Sequence, residues 1–486
     1  MAAKNNSISG SMIWNLLERL GTQGAQLIVS IILARILLPE AYGVLSLVTV
    51  FVNLATVIVE TGFGSSIIQK KEITRQEIDI IFTFNFCVSL FLCALLWVTA
   101  PFISSFYDKY DPALLTRVIQ IYALILPIGA ITSIQSSMIY RNMQFKKFFV
   151  VNILVIIGSS TVGIVMAKLG FGVWALIGQQ LSAKLFLLIA LLISVHWKPR
   201  LNFRFGQAKS MFRFGGNILF NRLVTMLYQQ MSSLVIGKKY SSEDLAFYSK
   251  GHTFPSLIAT NTDYALQKVM FSAYSKHQDS RDTVREMMRK TIRLSTFLLS
   301  PLLFGMLSCS ENFVRVVLTD KWLDCVPYMQ IFCISYFLQP IGTTSSQALN
   351  GIGKSGLTLI LGASTKLFGI AVIIATALLG LDVPFVALAV LLTTIVSATV
   401  FTIFNKKVFS YTVRQQIADI GGNMLSAISM AAVCFGAGFL LKSVSPLIAL
   451  ALQVIAGAVW YLLIAIIFKN DNLTYLLNKL KSLLKA

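Results

Sequence analysis

The sequence predicts an all-α polytopic membrane protein built from two related halves and an appended pair of helices. Three observations carry that expectation: the apolar content, the placement of the charge, and an internal repeat at a fixed offset. The chain is 56% hydrophobic and 13% charged, with a mean hydropathy of +0.74, far from the composition of soluble domains. Runs of about 20 mostly apolar residues predict about fourteen transmembrane helices, at 11–34, 42–66, 80–106, 114–140, 148–168, 173–195, 214–237, 245–271, 291–318, 325–350, 356–380, 384–404, 419–441 and 445–468.

A net charge of +21 invites a nucleic-acid partner until its location is considered. Almost all of it lies between the spans. With the N-terminus in the cytoplasm, the inner connections and tails hold 26 Lys and Arg against 9 in the outer connections. That bias obeys the positive-inside rule, assigns both termini to the cytoplasm and removes nucleic acid from the expected partners. The six cysteines form no C-x-x-C pair, and no His/Cys cluster has metal spacing, so they read as small hydrophobes and no metal or cofactor is expected. Met1 to Gly10 lacks a charged segment followed by a cleavage site, which predicts that the first helix is retained.

Arg19, Thr22 and Gln26 recur as Arg222, Thr225 and Gln229, an offset of 203 shared by Leu16 with Leu219, Glu40 with Glu243, Phe51 with Phe254, and Glu60 with Asp263. A weaker echo at 210 matches Gln120-Ile121 with Gln330-Ile331 and Ser136 with Ser346. Six spans in each half make the repeat parallel, with its axis along the membrane normal. The expected divisions are 1–200 (helices 1–6), 201–408 (helices 7–12) and 409–486, the last with helices 13 and 14 and an amphipathic cytoplasmic tail. The repeat also admits 245–271 as a span despite Lys250, His252, Asn261 and Asp263, because it aligns with 42–66. Helices 13 and 14 carry few polar residues, which predicts packing or lipid-facing roles. In the tail, Leu473, Leu476, Leu477, Leu480, Leu483 and Leu484 form one stripe beside Lys479, Lys481 and Lys485, a pattern suited to an anionic membrane surface.

Spacing of i, i+3 and i+7 puts Arg, Thr and Gln on one face of an otherwise lipid-soluble helix. At 1.5 Å per residue, Arg19 and Arg222 lie roughly 12 Å deep, where a lone guanidinium costs at least about 2.5 kcal/mol. Two readings satisfy it. In one, Glu60 pairs with Arg19 and Asp263 with Arg222 inside each half. In the other, both arginines face a cavity between the halves and bind a phosphate bidentately, with Gln26 and Gln229 beside them. The two coexist if a carboxylate releases its arginine on protonation, which makes Glu60 and Asp263 carriers of a coupling ion. Glu18 adjoins Arg19 but points about 100° away; it joins the charge-tuning candidates. Lys366 and Lys184 are also at membrane depth and are further candidates for the cavity wall.

Two motifs are set aside. Ala348-Leu-Asn-Gly-Ile-Gly-Lys-Ser355 nearly matches a phosphate-cradling loop, but its first glycine is Ala348 and it ends an apolar helix instead of joining a strand to a helix. The outer connections are all short, which counts against a membrane enzyme that polymerises or ligates glycans.

Several segments resemble a known family. Leu33-Ala-Arg-Ile-Leu-Leu-Pro-Glu-Ala-Tyr-Gly43, Gly62-Phe-Gly-Ser-Ser-Ile-Ile-Gln-Lys-Lys-Glu72, Val269-Met-Phe-Ser-Ala-Tyr-Ser-Lys-His-Gln-Asp279 and Thr319-Asp-Lys-Trp322 are similar to the polysaccharide transporters of the multidrug/oligosaccharidyl-lipid/polysaccharide superfamily. Within it the chain resembles Wzx-type flippases of the colanic acid exporter-like branch. The resemblance implies two six-helix lobes in a V around a central cationic cavity. It implies a bacterial inner-membrane protein that moves an undecaprenyl-diphosphate-linked oligosaccharide from the cytoplasmic to the periplasmic leaflet by alternating access. It also implies coupling to H+ or Na+ and work alongside a polysaccharide polymerase and export machinery. The family's cavity cations are placed here at Arg19 and Arg222. The expectation is therefore a flippase and not an enzyme, with a cation-coupled multidrug exporter of the same superfamily as the alternative.

Overall fold

A computed structural model describes the backbone of residues 2–61, 67, 72–195, 197, 199–204 and 209–484. Among the described residues there are sixteen α-helices and no strand. In order they are α1 (Ala2–Ile36), α2 (Pro39–Thr61), α3 (Arg75–Phe106), α4 (Pro112–Ala123), α5 (Ile125–Arg141), α6 (Phe145–Lys168), α7 (Val173–Ser194), α8 (Lys209–Lys239) and α9 (Ser242–Lys276). There follow α10 (Arg281–Val317), a 3-10 turn at Asp320–Cys325, α11 (Val326–Gly351), α12 (Ser355–Leu378), α13 (Val383–Phe409), α14 (Val413–Leu440), α15 (Pro446–Ile467) and α16 (Asp471–Leu484). The chain forms two compact units, Met1–Ala246 and Phe247–Ala486, and their boundary falls early in α9.

Ten helical segments among the described residues are long and apolar enough to cross a membrane, counting α4 and α5 as one. The other four long helices, α1, α8, α9 and α11, are those that carry Arg19, Arg222, Asp263 and Gln339. Several helices outrun the apolar runs that predict them, because the backbone ladder extends until a cap closes it. Thr74 and Glu77 form a capping box that starts α3 five residues before the apolar run, and Ser280 Oγ accepts from the Thr283 amide at 3.4 Å to start α10 ten residues early. The span expected at 114–140 is broken between α4 and α5. Pro127 has no N–H to give the carbonyl of Ala123, the last residue of α4.

The repeat read from side chains also holds in the backbone. α1 and α8 end 203 residues apart, at Ile36 and Lys239, and α2 and α9 begin 203 apart, at Pro39 and Ser242. Later the offset becomes 210: α6 spans Phe145–Lys168 and α12 spans Ser355–Leu378, while α7 and α13 begin at Val173 and Val383. The turns agree, since left-handed residues fall at Met143 (φ 54) and Gly353 (φ 78), and again at Gly170 (φ 81) and Gly380 (φ 68). The second half therefore gains its extra residues between the start of α9 and the end of α11.

In the first unit α1 packs on α6, α6 on α7, and α2 along α8. One core of this unit gathers Ile67, Ile78, Ile81, Phe82 and Ile134 around Trp197, from the connection after α7. The Trp197 indole donates to Asp79 Oδ1 at 3.2 Å and meets Phe82 edge-on at 5.4 Å between centroids. In the second unit Tyr274, Met288, Ile292, Leu349, Phe409 and Tyr411 form one core, and Phe297, Met430, Cys434 and Tyr461 another. Leu473 and Leu476 of the tail helix pack on the latter, so part of the tail's apolar stripe lies on protein. Large apolar side chains elsewhere point outward, with Phe102 73%, Ile193 79% and Leu440 80% exposed, as a lipid-facing surface requires. Buried hydroxyls bond back to their own helix: Thr83 to the Asp79 carbonyl at 2.7 Å, Thr296 to Ile292 at 2.8 Å and Thr393 to Ala389 at 2.8 Å.

Helix approach at Gly43 gives a direct test. A Cβ there would run into the backbone carbonyl of Ser242, whereas one at Gly24 meets nothing within 4 Å. Gly43→Ala is expected to lower the melting midpoint of the detergent-solubilised protein, by roughly 1–3 kcal/mol of stability or more. Gly24→Ala is expected to leave it unchanged or raise it by up to about 1 kcal/mol. Equal effects of the two would contradict the packing.

Candidate functional site

The polar face of α1 divides into a packed edge and an open one. Glu18 is buried, and its Oε1 accepts from Asn152 Nδ2 of α6 at 2.9 Å. Gly21 lies against the Phe149 ring on the same edge, and Trp14 meets that ring at 6.0 Å. Thr22 is buried too, its hydroxyl returning to the Glu18 carbonyl at 2.5 Å and to that of Arg19 at 3.2 Å. About 100° around the helix, Arg19 is half-buried and Gln26 exposed. On α8 the corresponding Arg222 and Gln229 are both exposed and Thr225 is half-buried. Of the repeated groups, Gln26, Arg222 and Gln229 are thus exposed and Arg19 half-buried, while Glu18 is absorbed into the packing.

The remaining expected residues distribute as follows. Lys184 is half-buried on α7, and Lys366 half-buried on α12. Glu60 lies in the last turn of α2, and its side chain, with the expected pairing to Arg19, lies outside the described residues. Asp263 is 5% exposed on α9 and is met by the side chains of Thr343 and Gln339 from α11.

α9 shows how a helix this polar is accommodated. His252 Nε2 lies 2.7 Å from the Tyr336 hydroxyl, and its ring meets Phe332 edge-on at 4.9 Å. Lys250, also buried, sits over the Trp322 ring at 5.6 Å. Lys250, His252 and Asp263 turn toward α11 and the 3-10 turn before it, while Thr253, Ser256, Thr260, Asn261 and Thr262 bond back to carbonyls of α9 itself. The Thr319-Asp-Lys-Trp322 segment thereby gains a structural task.

A buried ionic network in the second unit was not foreseen. Asp419 of α14 receives Arg289 of α10 bidentately, Nε at 2.8 Å and Nη2 at 3.1 Å. Arg293 Nε lies 2.8 Å from the carboxylate, and the Tyr411 hydroxyl donates to it at 2.7 Å. Burial first, and then the bond to Asp419, pushes the Tyr411 hydroxyl up from its ordinary value. Asn423 Nδ2 donates to Thr296 Oγ1 at 2.9 Å, and Gln416 Nε2 to the Tyr411 carbonyl at 2.8 Å. α14 is therefore anchored by a polar face and does not merely fill space. Its signal was in the sequence: Gln416, Asp419 and Asn423 stand at i, i+3 and i+7, the same spacing as Arg19, Thr22 and Gln26.

Helices alone among the described residues, a helical plan that recurs at a fixed offset, and large apolar side chains on outer faces fit a multi-pass membrane transport protein. More specifically, the chain belongs to the polysaccharide biosynthesis protein family, whose model matches residues 32–327. Among curated relatives, the succinoglycan biosynthesis transport protein ExoT of Rhizobium meliloti (strain 1021) is 23% identical, over 72% of this chain and 70% of its own. The lipopolysaccharide biosynthesis protein WzxC of Escherichia coli (strain K12) is 22% identical over 91% of this chain and 89% of its own. Among solved structures, the lipid II flippase MurJ in an inward closed conformation superposes with a TM-score of 0.74 at 16% identity, covering 94% of this chain and 99% of that one. An inward-facing multidrug resistance MATE transporter of the MOP superfamily gives 0.62 at 14% identity, over 80% and 94%. These likenesses establish the shared fold.

The Asp419 network yields a prediction. Removing a carboxylate that holds two arginines leaves buried charge uncompensated, at about 3–5 kcal/mol for a fully buried pair and less here because both guanidiniums are partly hydrated. Asp419→Ala is expected to cost about 2–3 kcal/mol in thermal unfolding in detergent. Arg289→Lys is also expected to destabilise, since an ammonium cannot replace the two-pronged contact. A wild-type melt for Asp419→Ala would remove the network's structural role.

Proposed function

We propose that this protein is a flippase that carries polyprenyl-diphosphate-linked oligosaccharides from the cytoplasmic to the periplasmic leaflet of a bacterial inner membrane, for surface polysaccharide synthesis. The observation that carries the reading is the pair of Arg–Thr–Gln faces, on α1 and α8, in a chain of the polysaccharide biosynthesis family. A diphosphate entering hydrocarbon needs fixed cations in water-accessible space, and a guanidinium meets phosphate oxygens bidentately. Arg19 and Arg222 hold the diphosphate, Gln26 and Gln229 donate beside it, and Lys184 and Lys366 serve as auxiliary cations. The polyprenyl tail stays in lipid.

Asp263 and Glu60 tune the arginines or take up the coupling H+ or Na+, and Glu18 fixes the angle of α1 through Asn152. Both termini lie in the cytoplasm, as the distribution of Lys and Arg supports. A polysaccharide polymerase and export machinery receive the product. The drug-exporter alternative is less well supported, because the open edges of α1 and α8 present arginine and glutamine.

In a strain lacking the gene, lipid-linked repeat units are expected to accumulate in a cytoplasm-facing pool that an impermeant glycosidase cannot reach on spheroplasts. The intact gene clears that pool, and the Arg19→Ala/Arg222→Ala double variant, expressed to the same level in the membrane, does not. Clearance by the double variant would remove the diphosphate assignment. Normal exposure of the lipids in the deletion strain, with no redundant flippase, would remove the flippase reading.

A further inference from the structure

At one end of the first unit a cavity of about 600 Å³ opens between the start of α3, the α5–α6 turn and the connection after α7. Its polar lining comprises Arg75, Lys147, Asn142 and Gln144, and its apolar floor is built from Ile78, Ile139 and Trp197. None of the described lining residues is a carboxylate. Of the acids on the neighbouring segments, Glu72 is exposed beside Ile73, Glu77 Oε2 accepts from the Thr74 amide at 3.0 Å, and Asp79 accepts from the indole of Trp197 on the floor. The Lys147 ammonium bonds to the Ser194 carbonyl at the cavity wall, keeping a cation at the rim. Two long helices also begin here, α3 at Arg75 and α6 at Phe145. The N-cap of α6, Gln144, makes no side-chain capping bond, so the first amides of α6 keep their capacity for an anion. Arg200 and Arg204 stand on the connection after α7 and add to the local positive charge, while Lys146, in the first turn of α6, lies over the Trp14 ring at 5.5 Å.

We infer that this cavity binds the phosphate headgroup of an anionic membrane phospholipid. Arg75 and Lys147 carry the phosphate, the amides of Asn142 and Gln144 hydrogen-bond its substituents, and the Ile78–Ile139–Trp197 floor receives the glycerol and upper acyl carbons. A small soluble anion would leave that floor wet. The position suits a lipid: the cavity lies where four apolar helices end, beside segments that carry Arg75, Lys147, Arg200 and Arg204, and basic pockets between helices at a membrane's cytoplasmic face select anionic headgroups. The site is separate from the arginine faces of α1 and α8, so it stands whether or not the chain moves lipid-linked sugars.

The test uses the full chain in detergent, titrated with dioleoylphosphatidylglycerol or dioleoylphosphatidylethanolamine and read by native mass spectrometry. The wild type is expected to prefer phosphatidylglycerol. Arg75→Ala/Lys147→Ala is expected to weaken phosphatidylglycerol binding by about thirtyfold, from the loss of two interfacial cations, and to leave phosphatidylethanolamine unchanged. Arg75→Lys/Lys147→Arg is expected to retain the preference. Should the double alanine variant melt early, a photoactivatable phosphatidylglycerol on the wild type decides, with labelling of 138–147 and 194–197 expected and labelling confined elsewhere contradictory. Equal binding of the two lipids overturns the inference. Displacement of phosphatidylglycerol by millimolar inorganic phosphate alone makes the cavity a free-phosphate site and also overturns it. A fall in polyprenyl diphosphate binding with phosphatidylglycerol unaffected does the same, since the cavity would then serve the transported lipid.

Discussion

Hydrocarbon gives a polar side chain no partner, and that constraint organises this molecule. Each polar group on a long helix must find a partner on its own helix, on a neighbour, or in water. Serine and threonine take the first course, bonding back to carbonyls one turn earlier. Glu18 with Asn152, Asp263 with Thr343 and Gln339, and Asp419 with Arg289, Arg293 and Tyr411 take the second. Gln26 and Gln229 take the third, exposed on α1 and α8. The same Arg–Thr–Gln spacing occurs twice, on α1 and α8, and the proposed function rests on that pair.

The repeat separates what the two halves share from what each has made for itself. Helix ends and left-handed turns recur at fixed offsets, so the backbone plan is common. The arginine and glutamine faces are common as well. The packing that supports them is not. Glu18 and Asn152, which lock α1 to α6, correspond to Asn221 and Gly362 in the second half. Lys250 and His252, which bind α9 to its neighbours, correspond to Leu47 and Thr49. The halves thus keep the same Arg–Thr–Gln spacing on α1 and α8 while joining their helices by different contacts.

Most of the helical plan was legible in the sequence because apolar length and charge asymmetry are properties of single segments. The repeat was legible too, since it needs only identity at an offset. What escaped depends on tertiary partners. The break before Pro127 is invisible to hydropathy, because the run from Leu114 to Tyr140 is continuous in apolar content while the missing N–H interrupts the ladder. The early starts of α3 and α10 come from capping residues lying outside the apolar runs. The Asp419 network was missed because Arg289 and Arg293 register as surface charge until α14 is docked beside them, although the spacing of Gln416, Asp419 and Asn423 was there to be read. The side chain of Glu60, half of one expected ion pair, lies outside the described residues, and the arginine faces owe their functional assignment to chemistry and family.

The most direct test of the central claim is translocation by the purified protein. Undecaprenyl-diphosphate-linked oligosaccharide would be placed in the inner leaflet of proteoliposomes and its appearance outside followed with an impermeant glycosidase. The account predicts exposure well above that of protein-free vesicles, loss of it on replacing both Arg19 and Arg222 by alanine, and partial return with lysine at both positions. Exposure no faster than in empty vesicles under an imposed ion gradient of either direction, or full activity without either guanidinium, would contradict it.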